Sequence, residues 1–299
     1  MNKAKLLRVS GQLKWYVFIL PTLVCLLVLT YVPTLQAFKY STYEVSVIGF
    51  NEKFVGLNNF RTILTNTGFK TAIYNTLYLI VLSLFNIPIG FILASVINGL
   101  PGEKTQTLFR SGFYLPNIMT SVSIVLIFQY ILQIDKGFLN TVISYIAGRH
   151  IEIAWLSSPR LAKIGASIIS MWSAMGYNML ICLASLQGIG PEIYEAALVD
   201  GAGGVKSWIH ITIPLMRSTF VFLFITTIIH GFNRFTDLFV LSLNSAAGRP
   251  GGSLQTILMY IFQYSFENPA YGIACAGSII LFAIVLTITC INLKVTKFI

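Results

Sequence analysis

Long apolar runs, broken by short polar stretches, recur along the whole chain. Six segments reach or approach the length of a membrane span: Trp15 to Leu35, Thr76 to Val96, Tyr114 to Ile134, Ile164 to Leu186, Phe220 to Leu241 and Tyr271 to Leu293. A spanning helix needs roughly 20 mainly apolar residues, because about 1.5 Å of rise per residue must cross about 30 Å of hydrocarbon. Unpaired backbone amides are too costly in lipid for anything but helices or closed barrels. The period-two alternation of a barrel strand is missing here. The pattern therefore predicts an all-α integral membrane protein with six transmembrane helices. No linker or low-complexity tract divides the chain, so residues 1–299 are expected to form a single transmembrane domain.

Composition agrees: 56% of the 299 residues are hydrophobic and 10% are charged, outside the usual range of soluble domains. The net charge of +10 would suggest nucleic acid in a soluble protein, but the basic residues are scattered over every loop, and nucleic-acid binding is not expected. They also divide evenly between the two sides of the six-helix topology. Orientation rests instead on Lys3, Lys5, Arg8 and Lys14, which precede the first span without any acid, on shorter inner loops, and on the acids; Lys294 and Lys297, past the last span, count on the same inner side. Glu44, Glu52, Asp135, Glu152, Asp237 and Glu267 fall outside. Both termini are expected in the cytoplasm. The basic start followed by an apolar run imitates a secretory signal, yet the run is long and no small-x-small cleavage site follows, so it should remain as an anchor. Cys25, Cys182, Cys275 and Cys290 sit inside proposed spans without metal spacing, and apolar filling is their expected role.

Between the fourth and fifth spans lies a loop of different character, 190–214, on the N-terminal side of the membrane. It contains "EAALVDGAGGVKSWIHITIP", Glu195 to Pro214. Pro191 suits a first helical turn, Glu192 the positive end of the helix dipole, and Gly201 a left-handed stop. Val205, Trp208, Ile209 and Thr212 then recur at helical spacing before Pro214. The expectation is a helix, a glycine turn and a second helix outside the bilayer, with Ala196, Ala197 and Ala202 keeping the surface slim enough to enter a groove on another protein. An interfacial loop resting on lipid headgroups is the alternative. "GAGGVKS", Gly201 to Ser207, is no phosphate loop: glycine is missing where Asp200 and Val205 stand, and no strand precedes it.

Polar residues within spans are expensive and usually face a cavity, a partner helix or an ion path. The fifth span is apolar from Phe220 to Ile229 and then reads His230, Gly231, Phe232, Asn233, Arg234, Phe235, Thr236, Asp237. In the fourth, Ser170, Ser173, Ala174 and Tyr177 share one helical face, with Asn178 beside them. Hydroxyls, a small residue and an aromatic ring suit a neutral sugar, whose hydroxyls need hydrogen bonds and whose C–H faces stack on rings. Two plainer readings stay open: an Arg234–Asp237 pair at the membrane surface, and close helix packing through small residues. Gln129 and Tyr130, with Asn75 and Asn86, are further cavity candidates. No catalytic or metal site is expected, since His150, His210 and His230 fall in three separate regions and no His-Glu-x-x-His occurs.

Glu195, Ala196, Ala197, Asp200, Gly201, Ala202, Ile211, Ile213 and Pro214 together resemble the EAA loop of bacterial binding-protein-dependent ABC importer permeases. The likeness extends to "FVGLNNF", "LPNIMTS", "DKGFLN", "SMWSAMGYNMLICLASLQGI" and "AYGIACAGSIILF", which resemble the carbohydrate-uptake branch and its maltose-type first permease subunit. Two departures stand out: Ile189, Gly190, Pro191 where the family has Ile-Pro, and "AGRPGGS", Ala247 to Ser253, where it has Gly-Gly-Pro.

The resemblance implies a type I ABC importer permease fold in the bacterial inner membrane, with cytoplasmic coupling helices that dock on an ATPase. Glu195 would pair with a base of that ATPase, and Gly201 would make the turn. The expected partners are a second, non-identical permease subunit in a heterodimer, two cytoplasmic ATPase subunits carrying ATP and Mg, and an extracytoplasmic solute-binding protein received by outer loops near 39–70, 133–163 and 244–269. No cofactor is expected on this chain. Alignment with the maltose-type subunit puts the substrate path on Ser170, Ser173, Ala174, Tyr177, Thr227, His230, Gly231 and Arg234. Gly231 and Arg234 stand where the maltose-type pattern is more amide-like, which points toward a different or an acidic oligosaccharide. The alternatives are an ABC permease for an amino acid, polyamine or phosphate, which should demand more charge in the spans, and an ion-coupled secondary transporter, which usually has more spans or an internal repeat.

Overall fold

The computed structural model describes residues 3–45 and 52–295; Lys297 and the part at 46–51 of the loop expected outside lie beyond the described residues. The chain divides into two compact units, Met1–Thr65 with Tyr264–Ile280, and Asn66–Gln263 with Leu281–Ile299.

In the first unit, α1 (Lys3–Leu26) passes through a π turn (Leu27–Tyr31) into α2 (Val32–Tyr40), and Trp15–Tyr40 is long and apolar enough to span a membrane. Pro33 has no N–H to donate to the preceding turn, and the wide turn just before it absorbs that mismatch. A two-residue antiparallel pair, β1 (Tyr43–Glu44) and β2 (Lys53–Phe54), leads into α3 (Asn58–Thr65). Buried Asn59 holds this turn, its amide donating to the Ser41 and Tyr43 carbonyls at 2.9 and 2.8 Å. The first residues of α16 (Tyr271–Val295) pack here, with Tyr271 edge-on to Tyr40.

The second unit begins at a clear cap. Asn66 Oδ1 accepts from the Gly68 and Phe69 amides and starts α4 (Thr67–Leu84), which α5 (Asn86–Asn98) continues into one stretch of 32 residues, Thr67–Asn98. The expected span at 76–96 lies inside it.

The third span is not the straight helix expected at 114–134. α6 (Glu103–Ile118) and α7 (Ser121–Ile131) meet at a 98° bend. Pro116 removes a donor, Met119 is extended, and Thr120 takes the Ser123 amide to cap a new helix, so three neighbouring residues redirect the chain. α8 (Phe138–Ala147) follows, ended by Gly148 at φ +62. α9 (Ala162–Gln187) matches the expected fourth span.

The loop between the fourth and fifth spans folds into α10 (Pro191–Val199), α11 (Gly204–Ser207), a π turn (Trp208–Thr212) and α12 (Ile213–Leu215). Pro214 lies inside this helical run rather than after it. The chain bends 63° at Met216 into α13 (Arg217–Phe232). The fifth span expected at 220–241 is also corrected, since α13 stops at Phe232 and α14 (Thr236–Leu241) starts after a break whose Phe235 has φ −138 and ψ −62. Thr256 caps α15 (Ile257–Phe262). Among the described residues, four helices are long and apolar enough to cross a membrane, and six spans result when each bent pair is one span.

α9 lies at the centre of this unit. α5 crosses it where Gly90 meets Asn178; a methyl group there would stand 2.6 Å from Asn178 Cβ. α6 approaches at Gly176, whose added Cβ would run into the Phe113 carbonyl. Lipid tails offer helices no hydrophobic incentive to associate, so such close van der Waals approach is what binds them. Two buried clusters fill the gaps: Phe91, Met179, Cys182, Leu186, Met216 and Leu223 in one, and Leu79, Ile124, Phe128, Ile169, Leu238 and Met259 in the other.

Candidate functional site

The two breaks at Met119 and Asn233 open backbone and polar side chains at the depth where a continuous helix would have presented apolar ones. Irregular backbone is tolerated at that depth only where it is buried or lines a water-filled space. Between α4, α5, α7, α9 and α13 lies a cavity of about 460 Å³. α9 contributes the expected stripe, Ser170, Ser173, Ala174 and Tyr177, with Asn178. α13 contributes Thr227, His230 and Gly231, and the following break brings in Arg234. The α-helical spacing that put these residues on one face in the sequence thus survives in three dimensions.

Ser83, Asn117, Ser121 and Thr226 are polar lining residues that the sequence reading passed over, and Asp237, raised there only as a partner for Arg234, lines the cavity too. Asn117 and Ser121 flank the unforeseen bend, inside the "LPNIMTS" motif that could have marked them. Asn86, a secondary candidate, lies on the wall and is only 2% exposed.

Other candidates go elsewhere. Asn75 is buried and pins the loop between α14 and α15, donating to the Gly252 and Gln255 carbonyls at 2.8 and 2.9 Å. That loop, "AGRPGGS", takes its shape from Gly248, Gly251 and Gly252, all at positive φ. Gln129 lines a separate open cleft with Asp135 and Arg249. Tyr130 is exposed, and Asn233 turns its amide back to the Ile229 carbonyl.

The electrostatics of the cavity are self-cancelling. Arg234 donates from Nε and Nη2 to the same Asp237 oxygen, at 2.7 and 2.6 Å, and from Nη2 to the Ala166 carbonyl at 2.6 Å. Its side chain is 9% exposed and that of Asp237 18%. The ion pair raised in the sequence reading is real, and both partners line the cavity. Two buried polar atoms on this wall have no partner in the protein, Arg234 Nη1 and Asn86 Oδ1, one a donor and one an acceptor. A buried polar group left unsatisfied costs about 1–3 kcal/mol, so such atoms mark where a ligand or water belongs.

The second site is the elbow at 190–214. Pro191 occupies the first turn of α10, with Glu192 beside it. Gly201 adopts φ +74, and the Gly201 and Ala202 amides bond back to the Leu198 and Ala197 carbonyls, closing α10 in the paired-bond pattern that needs a left-handed residue. Tyr194 Oη and Thr212 Oγ1, 3.1 Å apart, clasp the two arms. Ala197 is buried and Ala202 half-buried in the joint, while Glu195, Ala196, Asp200, Gly201 and Pro214 face outward. Glu195 has no ion-pair partner among the described residues. Leu198 and Val199 follow Glu195 three and four residues later on α10 and, with Val205 of α11, are exposed, the last two by 89% and 74%.

Comparison with known proteins gives the family. The chain is 28% identical over 283 residues to the multiple sugar-binding transport system permease protein MsmF of Streptococcus mutans, covering 94% of each. It is 29% identical to the arabinooligosaccharides transport system permease protein AraP of Bacillus subtilis, covering 94% of this chain and 88% of that one. Its fold matches a chain of a bacterial ABC transporter that imports the acidic polysaccharide alginate, with a TM-score of 0.85 at 23% identity over 99% of both chains. The model of the binding-protein-dependent transport system inner membrane component matches residues 86–293, from the cavity residue Asn86 through the elbow into α16. The chain therefore belongs to the family of binding-protein-dependent transport system inner membrane components.

Proposed function

We propose that this chain is the permease subunit of an ATP-driven importer that carries a neutral sugar or oligosaccharide into the cytoplasm. The observation that carries the reading is the cavity wall: its arginine is already neutralised by Asp237, and the buried side-chain atoms left unpartnered on it are one donor nitrogen, Arg234 Nη1, and one amide acceptor, Asn86 Oδ1. A sugar hydroxyl donates and accepts at once, and Tyr177 adds a ring face for stacking. An acidic sugar would bring its charge into a site with no net charge to meet it, and a phosphate or amino acid would do the same. The cavity volume of about 460 Å³ lies within the range of small-ligand sites. The relatives named for sugars and arabinooligosaccharides support the same substrate class.

In this reading a second, similar permease subunit completes the path and two ATPase subunits bind the elbows from the cytoplasm, where both termini also lie. An extracytoplasmic binding protein delivers the sugar. ATP and Mg belong to the ATPases; this chain is a transport subunit rather than an enzyme. Closure of the ATPases moves the elbow, with Glu195 paired to one of their bases, and turns the cavity from one side of the membrane to the other.

The test is uptake by the intact assembly in liposomes of labelled arabinotriose, maltotriose and a triuronate. ATP-dependent uptake of a neutral trisaccharide, insensitive to collapse of ion gradients and reduced at least about tenfold in Tyr177→Ala, is expected, the factor corresponding to loss of about 1.4 kcal/mol of ring contact. Uptake that follows an ion gradient, or normal uptake by Tyr177→Ala, overturns the assignment.

A further inference from the structure

The elbow is joined to the membrane helices in two ways. Its covalent continuation is α13, but that connection passes through the bend at Met216, whose φ −85 and ψ 5 leave the helical run. Beyond the bend, Thr219 ties α13 to α9 through Ser185 at 2.7 Å. A helix that restarts after a single-residue break, and is itself held to the central helix, is a poor carrier of rotation from the elbow.

The other connection is through packing. Trp208, in the π turn of the elbow, stacks on Phe91 of α5 with ring centroids 4.9 Å apart and planes within 11°. Its indole N–H donates to Ser95 Oγ at 3.0 Å, and Ser95 in turn donates to the Phe91 carbonyl at 2.8 Å. Phe220 closes the other edge of Phe91 at 5.1 Å. Trp208 is thus held to one turn of α5 by a ring face on Phe91 and a hydrogen bond to Ser95, 113 positions away in the chain, so neither translation nor rotation of the indole leaves α5 behind. π turns inside helices are found disproportionately at functional sites, and this one carries the indole that reaches α5.

α5 leads directly to the cavity. Its first residue is Asn86, whose unpartnered Oδ1 lies on the wall, and about 13 Å of unbroken helix separates it from Ser95. Midway, Gly90 rests on Asn178, another wall residue. Displacement at Trp208 therefore reaches two polar groups of the cavity through one rigid element.

Building on the sugar-importer reading, we infer that Trp208 is a positioning residue that makes α5 the output arm of the elbow, shifting Asn86 and the Gly90–Asn178 crossing when the ATPases close. The test uses the intact importer in liposomes, with arabinotriose or maltotriose, whichever the wild type imports, and reads sugar imported per ATP hydrolysed. Trp208→Phe keeps a ring but removes the N–H; Ser95→Ala removes its acceptor. Each is expected to lower the ratio about fivefold while hydrolysis continues, the factor one hydrogen bond carries. The double variant should be no worse than either single one, because both remove the same bond. Trp208→Leu, which also removes the stack, should fall further; if it does not assemble, the two conservative variants carry the test. An unchanged ratio in Trp208→Phe and Ser95→Ala, including the case where uptake and hydrolysis fall together, overturns the inference, as does a multiplicative loss in the double variant. Sugar import by the wild type without ATP hydrolysis would instead overturn the importer reading itself.

Discussion

Replacing Asp237 by asparagine keeps the shape of the cavity wall and removes its negative charge. Arg234 would lose its charged acceptor for two donors, now 2.7 and 2.6 Å from one oxygen, and retain only the Ala166 carbonyl. Breaking a buried ion pair on one side costs about 3–5 kcal/mol, because a cation is left in a poorly solvated place. Here the cavity admits water on one side of the pair, so the lower end, about 3 kcal/mol, is expected for Asp237→Asn. Purified protein should unfold several degrees lower in a detergent thermal scan. Replacing both partners, Arg234→Met with Asp237→Leu, should recover most of the loss, since no charge then remains unpaired. The same change makes the cavity positive. Uptake of a neutral trisaccharide should fall in Asp237→Asn, and a triuronate, inert toward the wild type, should begin to compete. A variant with wild-type stability and no sensitivity to the triuronate would show that Asp237 does not neutralise the site, and the argument for a neutral substrate would go with it.

Two further changes probe the packing and the elbow. Gly231→Ala drives a methyl group into Ile80 Cγ1 and should cost about 2 kcal/mol, read by the thermal scan, with Ile80→Val restoring part of it. Gly201→Ala places a side chain at φ +74, with no steric neighbour but with backbone strain, and should cost about 1 kcal/mol in the elbow. The ATPase subunits should co-purify several-fold less well with it, while helix content by circular dichroism is unchanged.

Much of the elbow was legible in the sequence because its determinants are local. Pro191 sets a first turn through its own ring, and Gly201 sets the stop through its own missing Cβ, so both could be read without knowing any neighbour. The stripe on α9 was legible for a related reason: a helix carries residues three, four and seven apart to one side whatever it packs against. The bend at 119–120 was harder. Its signals, Pro116 and a capping Thr120, sit inside an apolar run that by length alone reads as one helix, so Asn117 and Ser121 were missed as wall residues. Asn75, Asn86 and Gln129 looked alike in the sequence, each a lone amide in a greasy segment. They part company only in three dimensions, as a loop pin, a cavity acceptor and a cleft residue.

Apolar run length and helix-local chemistry by themselves determined that this is a helical membrane protein with a protruding elbow, because burial in lipid and backbone capping depend on residues within a turn or two of one another. Tertiary structure alone decided that Arg234 meets Asp237 with one donor left over, and that Trp208 grips α5. Those facts depend on where helices distant in the chain cross, and the crossings are set by the close approaches at Gly90, Gly176 and Gly231, whose missing side chains reveal nothing of their partners until the helices are packed.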